Sequence, residues 1–400
     1  MSKNLPLIFI LCTVMIDAIG IGLIFPVMPD LIRDVGGGDL ANAAIWGGIL
    51  TSAFAVMQFL FGPVIGSLSD RYGRRPILLI SLIVMAADYM VMAVAGTIWL
   101  LLVGRIVGGI ASATYATASA YVADISEPNE KAKNFGLIGA SFGIGFVLGP
   151  AFGGLLGEFG TRAPFYAAAG LAFANTILGY FVLKETVSDA IRRSFQWRRA
   201  NPLGALLSVG KLPGLTALLL VFFFYQMAGA VYVSVWPYFT AELFDWSPGM
   251  IGASLALYGG CYAFSQGLLV APAIKWFQDR GTVTLGLCLE TVTLVFFGLA
   301  TSGFYVMLVI PITALGAVGL PALQAIMSRR VADDAQGELQ GLLASLVSLA
   351  TIIAPLLMTR TFATFSGSEA RYYQPGAPFL LAAGIMVLSI FIFVNSRVRK

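Results

Sequence analysis

Polar positions are sparse along this chain, and they separate long apolar runs at near-regular intervals. A helix needs about 20 apolar residues to cross a bilayer. Runs of that length lie near 5–27, 43–66, 76–95, 98–121, 134–157 and 163–183. A polar stretch follows from Lys184 to Lys211, and six more runs come near 214–237, 249–272, 282–301, 303–326, 339–359 and 377–395. The pattern predicts an all-α membrane protein with twelve transmembrane helices in two six-helix bundles. The bundles are expected at 1–183 and 213–400, with a cytoplasmic linker at 184–212. A transmembrane β-barrel would instead show alternating segments of roughly ten residues. The first run is too long for the apolar part of a signal peptide and carries Asp17 at its centre, so no cleavable signal is expected.

Composition agrees with the pattern. The chain is 58% hydrophobic and 11% charged, with a mean hydropathy of +0.87, whereas a soluble globular chain carries about 25% charge. The lipid bilayer is therefore the expected surrounding. A net charge of only +4, with no basic cluster interleaved with aromatics, argues against nucleic acid as a partner. Cys12, Cys261 and Cys288 sit in apolar stretches without metal-ligand spacing, so buried packing is expected of them rather than a disulfide or a metal site.

Lysine and arginine set the orientation. Nineteen of the 24 fall on the side that holds both termini and the linker, and Arg33, Arg162, Arg360 and Arg371 fall on the other. Arg105 lies within a span. Both termini are thus expected in the cytoplasm of an inner-membrane protein. The halves also repeat each other. Pro63, Asp70, Arg71 and Gly73 reappear as Pro272, Asp279, Arg280 and Gly281; Val122–Asp124 reappears as Val331–Asp333; and Gly149–Pro150 is echoed by Ala354–Pro355. A parallel repeat of six helices predicts a substrate site near the bilayer midplane.

An ionisable side chain at the bilayer centre costs at least about 2.5–3.5 kcal/mol on insertion scales. Asp17, Asp88, Arg105 and Glu290 all sit at such positions. Asp88 and Arg105 lie at similar distances from the turn between spans three and four, so they are expected at one depth and able to pair. Arg105 reaching Asp17 is the alternative, and a purely structural ion pair is a third reading. Glu290 has no basic residue within the spans of its own half, so it should be protonated much of the time. The chain contains no histidine, the usual titrating group near neutral pH. Any proton coupling must therefore run through carboxylates, with Asp17 and Glu290 as the candidates.

Gln58, Gln226, Gln266 and Gln324 add polar groups within or beside the spans. Tyr262 precedes Gln266 by four residues, on the same helical face. These five are candidate substrate contacts, with hydrogen bonding between helices as the equal alternative for the glutamines. The loop GSLSDRYGRRP (66–76) offers Gly66 and Gly73 for a tight turn and Asp70 for a helix N-terminus. Arg71 and Arg74 can bond acids or carbonyls at other helix ends. Such a cluster can latch one conformation, whereas simple positive-inside anchoring leaves the glycine and aspartate spacing unexplained. In GASFGIGFVLGPAFGGLLGEFG (139–160), glycines at 139, 143, 149, 153 and 157 suggest close helix packing. Pro150 suggests a bend.

GSLSDRYGRRP, GRIVGG (104–109) and the glycine–proline run of span five resemble the motifs of drug–proton antiporters of the major facilitator superfamily. IDAIGIGLIFPVMPDLIRD (16–34), GLPALQAIMSRRV (319–331) and QGELQG (336–341) bring the resemblance to the tetracycline–proton antiporters, over nearly the whole chain. It implies two bundles related by a pseudo-two-fold and secondary active efflux of drug-like solutes, tetracycline among them, by alternating access. It also implies that Asp17, Asp88 and Glu290 are the membrane acids, Arg105 the arginine of span four, and Arg74–Asp124 a cytoplasmic charge pair. Glu290 stands where many such exporters have aspartate, and Tyr262 where many have histidine. No cofactor is expected beyond the proton as coupling ion, and the resemblance admits a metal-chelated solute as cargo. A monomer is the expected functional form. A proton-linked uniporter or symporter of a metabolite is the alternative. An intramembrane enzyme lacks the histidine and the paired acids it would need.

Overall fold

The computed structural model describes residues 5–112, 114–127, 130–187, 201, 214–332, 335–367 and 370–396. Most of the expected linker and Asp333 lie outside the described residues. The described residues form helices and their connections, with no strand among them. In chain order the helices are α1 (Leu5–Ile24), α2 (Met28–Gly36), α3 (Leu40–Tyr72), α4 (Arg74–Val94), α5 (Ile98–Ala111), α6 (Thr114–Ile125), α7 (Lys131–Gly157) and α8 (Ala163–Val182). Then come α9 (Thr216–Phe244), α10 (Pro248–Phe264), α11 (Val270–Leu299), α12 (Gly303–Gly316), α13 (Gly319–Ser328), α14 (Gln336–Ser366) and α15 (Ala377–Asn395).

Eleven continuous helical runs among the described residues are long and apolar enough to cross a membrane. One of them, Pro248–Leu299, is 52 residues long and is broken at Gln278, whose φ of 60° and ψ of 170° are not helical. It therefore contains the expected eighth and ninth spans. Spans four and ten are each two shorter helices, interrupted after Ala111 and after Gly316. A π-helical turn at Ser265–Leu269 joins α10 to α11.

Side chains such as Phe159 (86% exposed), Trp276 (75%) and Phe181 (73%) point outward. Apolar exposure on this scale suits hydrocarbon and not water. It also corrects the expectation for the cysteines: Cys12 and Cys288 are exposed and Cys261 is half-exposed. Inside a membrane an apolar neighbourhood does not separate core from lipid face.

The chain forms two compact units. Unit 1 comprises 1–36, 53–202 and 247–256; unit 2 comprises 37–52, 203–246 and 257–400. The start of α3 thus groups with unit 2, and the start of α10 with unit 1. Within unit 1 the main packed pairs are α1 with α7 and α4 with α8; within unit 2 they are α9 with α14 and α11 with α15. The second set is the first set moved on by six spans, so the sequence repeat is also a repeat of packing.

Candidate functional site

In unit 1, Asp88 of α4 and Arg105 of α5 form a buried ion pair, their side chains 1% and 11% exposed. The approach depends on GRIVGG. A β-carbon at Gly104 would fall 3.0 Å from Asp88 Oδ1, and one at Gly108 would fall 2.7 Å from Oδ2. The Arg105 guanidinium also lies 5.0 Å from the centre of the Phe54 ring, a cation–π contact. Removing one partner of a buried pair costs about 3–5 kcal/mol, because the other charge is stranded. Arg105 therefore goes to Asp88 and not to Asp17, which settles the alternative left open by the sequence. Asp17 lies on α1, close enough to Tyr89 of α4 to act on its phenol electrostatically.

Unit 2 treats its carboxylate differently. Glu290 of α11 is 4% exposed and accepts a hydrogen bond from the Tyr232 hydroxyl at 3.3 Å. The Tyr232 ring stacks on Tyr258 at 5.8 Å and meets Phe297 edge-on at 6.2 Å. Tyr258 in turn packs against Tyr262 at 6.0 Å. Tyr225 also hydrogen-bonds Glu290, and Tyr258 and Tyr262 lie within electrostatic reach of it. On the other side a β-carbon at Gly316 would fall 3.0 Å from Glu290 Cγ. A phenol and packed rings stand where unit 1 has a guanidinium.

Two of the glutamines prove to be equivalent. Gln58 Nε2 donates to the Ser112 carbonyl at 3.5 Å, and Gln266 Nε2 donates to the Ala317 carbonyl at 3.0 Å. Ser112 and Ala317 mark the breaks in spans four and ten. A break frees backbone carbonyls that nothing in hydrocarbon can satisfy, and each glutamine supplies a donor. For this pair the hydrogen-bonding reading is the one realised. Gln226 on α9 and Gln324 on α13 are half-buried.

The loop between α3 and α4 is a charge knot within unit 1. Arg74 bonds Asp124 at 3.2 Å, Asp70 at 2.5 Å and the Ser69 hydroxyl at 2.9 Å. Two expectations change here, and one partner is new. Asp70 ends α3 instead of capping α4. Gly66 lies inside α3 with open space beside it, so only Gly73, at φ 112°, makes the turn. The N-terminus of α4 is capped by Glu185, which accepts from the backbone N–H of Arg74 at 2.9 Å and of Arg75 at 3.2 Å. A β-carbon on Gly73 would collide with that carboxylate. Thr186 adds a hydrogen bond to Asp124 at 2.9 Å, and Arg71 stacks on Tyr72.

Glycines of α7 serve two neighbours. A β-carbon at Gly149 would fall 2.7 Å from Gly22 Cα and from the Ile19 carbonyl of α1, and one at Gly153 would strike Leu23. Gly154 faces the start of α10, its β-carbon position 2.5 Å from the Pro248 carbonyl. Gly139 and Gly143 have open space instead, and Gly145 and Gly154 were absent from the expected stripe. Helix α7 runs unbroken through Pro150, as membrane helices allow when neighbours re-satisfy the backbone.

The family model described as the Major Facilitator Superfamily matches residues 10–234 and 218–400. The chain belongs to the major facilitator superfamily. Among curated members it is 43% identical to the class C tetracycline resistance protein of Escherichia coli over 91% of both chains. Identity to the class G protein of Vibrio anguillarum is 38% over 90% of this chain and 91% of that protein. Among solved structures, a bacterial homologue of the human lysosomal transporter Spinster, inward-facing and occupied, superposes with a TM-score of 0.81 at 16% identity, covering 98% of this chain and 96% of that one. The human organic anion transporter MFSD10 gives a TM-score of 0.70 at 23% identity, over 98% and 100%. These likenesses show the twelve-helix major facilitator fold for this multi-pass membrane protein.

Several residues of this superfamily member escaped sequence reasoning. Glu185 stands just past span six, where an acid in a charged stretch reads as solvated loop. Tyr232 and Tyr89 look like ordinary core aromatics. A signal existed only for Glu185: an α4 start without an acid of its own, preceded by a glycine.

Proposed function

We propose that this chain exports drug-like solutes, tetracycline first among them, in exchange for entering protons. The observation that carries the reading is 43% identity to a tetracycline resistance protein across 91% of both chains. The buried acids supply the chemistry. An ionised Glu290 has a phenol as its donor and no cation in contact among the described residues, so binding a proton relieves a real desolvation cost. Asp88 is paired with Arg105 and in this reading serves as a fixed charge. Asp17 and Glu290 then carry the exchangeable protons, one in each half. Each proton entering at a potential of 100 mV contributes about 2.3 kcal/mol.

In this reading both termini and the linker are cytoplasmic, the two sequence halves are the moving parts, and a monomer suffices. Arg74, Asp70, Asp124 and Glu185 latch one conformation at the cytoplasmic end. Gln226, Tyr262 and Gln324 contact solute, and a metal chelated by the solute travels as cargo. The test uses everted membrane vesicles: an imposed pH gradient should drive tetracycline uptake that a protonophore abolishes. Uptake indifferent to the gradient would favour a uniporter.

A further inference from the structure

Span ten breaks where its own sequence removes a hydrogen bond. In a continuous helix the Ala317 carbonyl would accept from the N–H of residue 321, but residue 321 is proline and has none. Ala317 is 1% exposed, and hydrocarbon offers its carbonyl no donor. The Gln266 amide supplies one at 3.0 Å. Gln266 reaches it from the π-helical turn Ser265–Leu269, a local widening that often marks a functional site. It also shares a hydrogen bond with Tyr262.

The same break rests on Glu290. A β-carbon at Gly286 would fall 2.7 Å from the Gly316 carbonyl oxygen and from Gly319 Cα, and one at Gly316 would fall 3.0 Å from Glu290 Cγ. Gly286 and Glu290 are four residues apart on one face of α11, so the break lies against the turn that carries the acid. The titratable groups facing Glu290 are the phenols of Tyr232 and Tyr225 on α9 and of Tyr258 and Tyr262 on α10. Helices α12, α13 and α15 also pack on α11 and carry no charged side chain. Unit 1 has the same amide without the same need. Gln58 reaches the Ser112 carbonyl at 3.5 Å, but the residue four further on is Ala116, which has an N–H of its own.

We propose that Gln266 is a positioning residue for proton exchange at Glu290: by satisfying the carbonyl that Pro321 leaves without a donor, it keeps the break in span ten dry and closed on the acid. Without the amide, water is the remaining donor. Water drawn to Ala317 arrives beside Glu290, where it changes the cost of ionising the carboxylate and opens a route for protons that solute does not control.

This inference rests on the proton-exchange reading, and its test separates the two. Wild-type, Gln266→Met and Gln58→Met proteins are reconstituted and assayed with tetracycline in two ways. One is uptake driven by a pH gradient, recorded across pH; the other is exchange at equilibrium with no net proton flow. Methionine keeps the length of the side chain and removes the donor. Gln266→Met should displace the pH midpoint of driven uptake by about one unit, the worth of one hydrogen bond, and lower driven uptake more than exchange. Gln58→Met should leave the midpoint in place. Gln266→Met/Pro321→Ala, which returns an N–H to position 321, should recover it. If Gln266→Met does not fold, Gln266→Asn, whose amide is one methylene short of the carbonyl, carries the same expectation. An unmoved midpoint overturns the proposal, as does an equal fall in both assays, which marks a packing defect. A displaced midpoint that Pro321→Ala fails to restore also counts against it. If the wild type itself shows no gradient-driven uptake, the proton-exchange reading fails and this proposal falls with it.

Discussion

Unit 1 and unit 2 each bury an acid deep in a membrane helix, and they stabilise it by opposite means. Asp88 has a guanidinium, reached because Gly104 and Gly108 let α5 close on it. Glu290 has the Tyr232 phenol and a wall of rings. A paired carboxylate gains little from a proton, whereas a carboxylate without a cation gains much. The repeat therefore supplied two equivalent scaffolds with different partners for the acid, a guanidinium in one and a phenol in the other; on the proposed function the first acid is a fixture and the second an exchange site.

The sharpest way to break that contrast is at Glu290. Glu290→Gln should abolish uphill transport while solute still binds, and Glu290→Asp should keep partial activity; vesicle uptake reads both. Next is Asp88→Asn, which strands Arg105 and should cost about 3–5 kcal/mol of stability. Adding Arg105→Gln should return much of the loss in thermal unfolding, while Glu290→Gln should leave the melting temperature nearly unchanged. Smaller still is the effect of a methyl at each glycine. Gly108→Ala presses on the Asp88 carboxylate and should both destabilise the protein and impair transport. Gly316→Ala meets the aliphatic Cγ of Glu290 at 3.0 Å and the Glu290 backbone N and Gly286 carbonyl at 3.3 Å, looser than the 2.7 Å approach at Gly108, and should be milder; parallel melting and uptake measurements rank them.

The smallest effect is expected where a carboxylate is in water. Glu158 bonds Ser247 and accepts from the Gly249 N–H at 2.8 Å, which together hold its carboxyl below the usual range. A group whose folded value is lowered stabilises above its ordinary range and loses that contribution as pH falls through the folded value. The cap on α10 should thus weaken only in acid, and Glu158→Gln should flatten the acid limb of a melting-temperature profile.

Much of this was legible in the sequence because membrane physics writes in long words. Run length gave the spans, the charge bias gave their number, and the price of a buried charge singled out Asp17, Asp88, Arg105 and Glu290. Local geometry was harder. Gly73 was matched to Gly281 in the repeat, yet the non-helical turn in the second half falls at Gln278, a residue whose side chain gives no hint of it. The breaks in spans four and ten were invisible to hydropathy, so Gln58 and Gln266 looked as much like solute contacts as backbone donors. The partners of the acids were beyond reach for a simpler reason. Which helix faces which depends on packing between segments far apart in the chain, and an aromatic residue reads alike whether it packs against leucine or hydrogen-bonds a carboxylate.

On the proposed function, Glu290 exchanges a proton when solute binds and Asp88 does not. Proton release on adding tetracycline to purified protein in weakly buffered detergent solution tests it directly. The wild type should release protons, Glu290→Gln should release fewer or none, and the Asp88→Asn/Arg105→Gln double variant should still release them. Undiminished release from Glu290→Gln, or its loss in the double variant alone, would contradict the account.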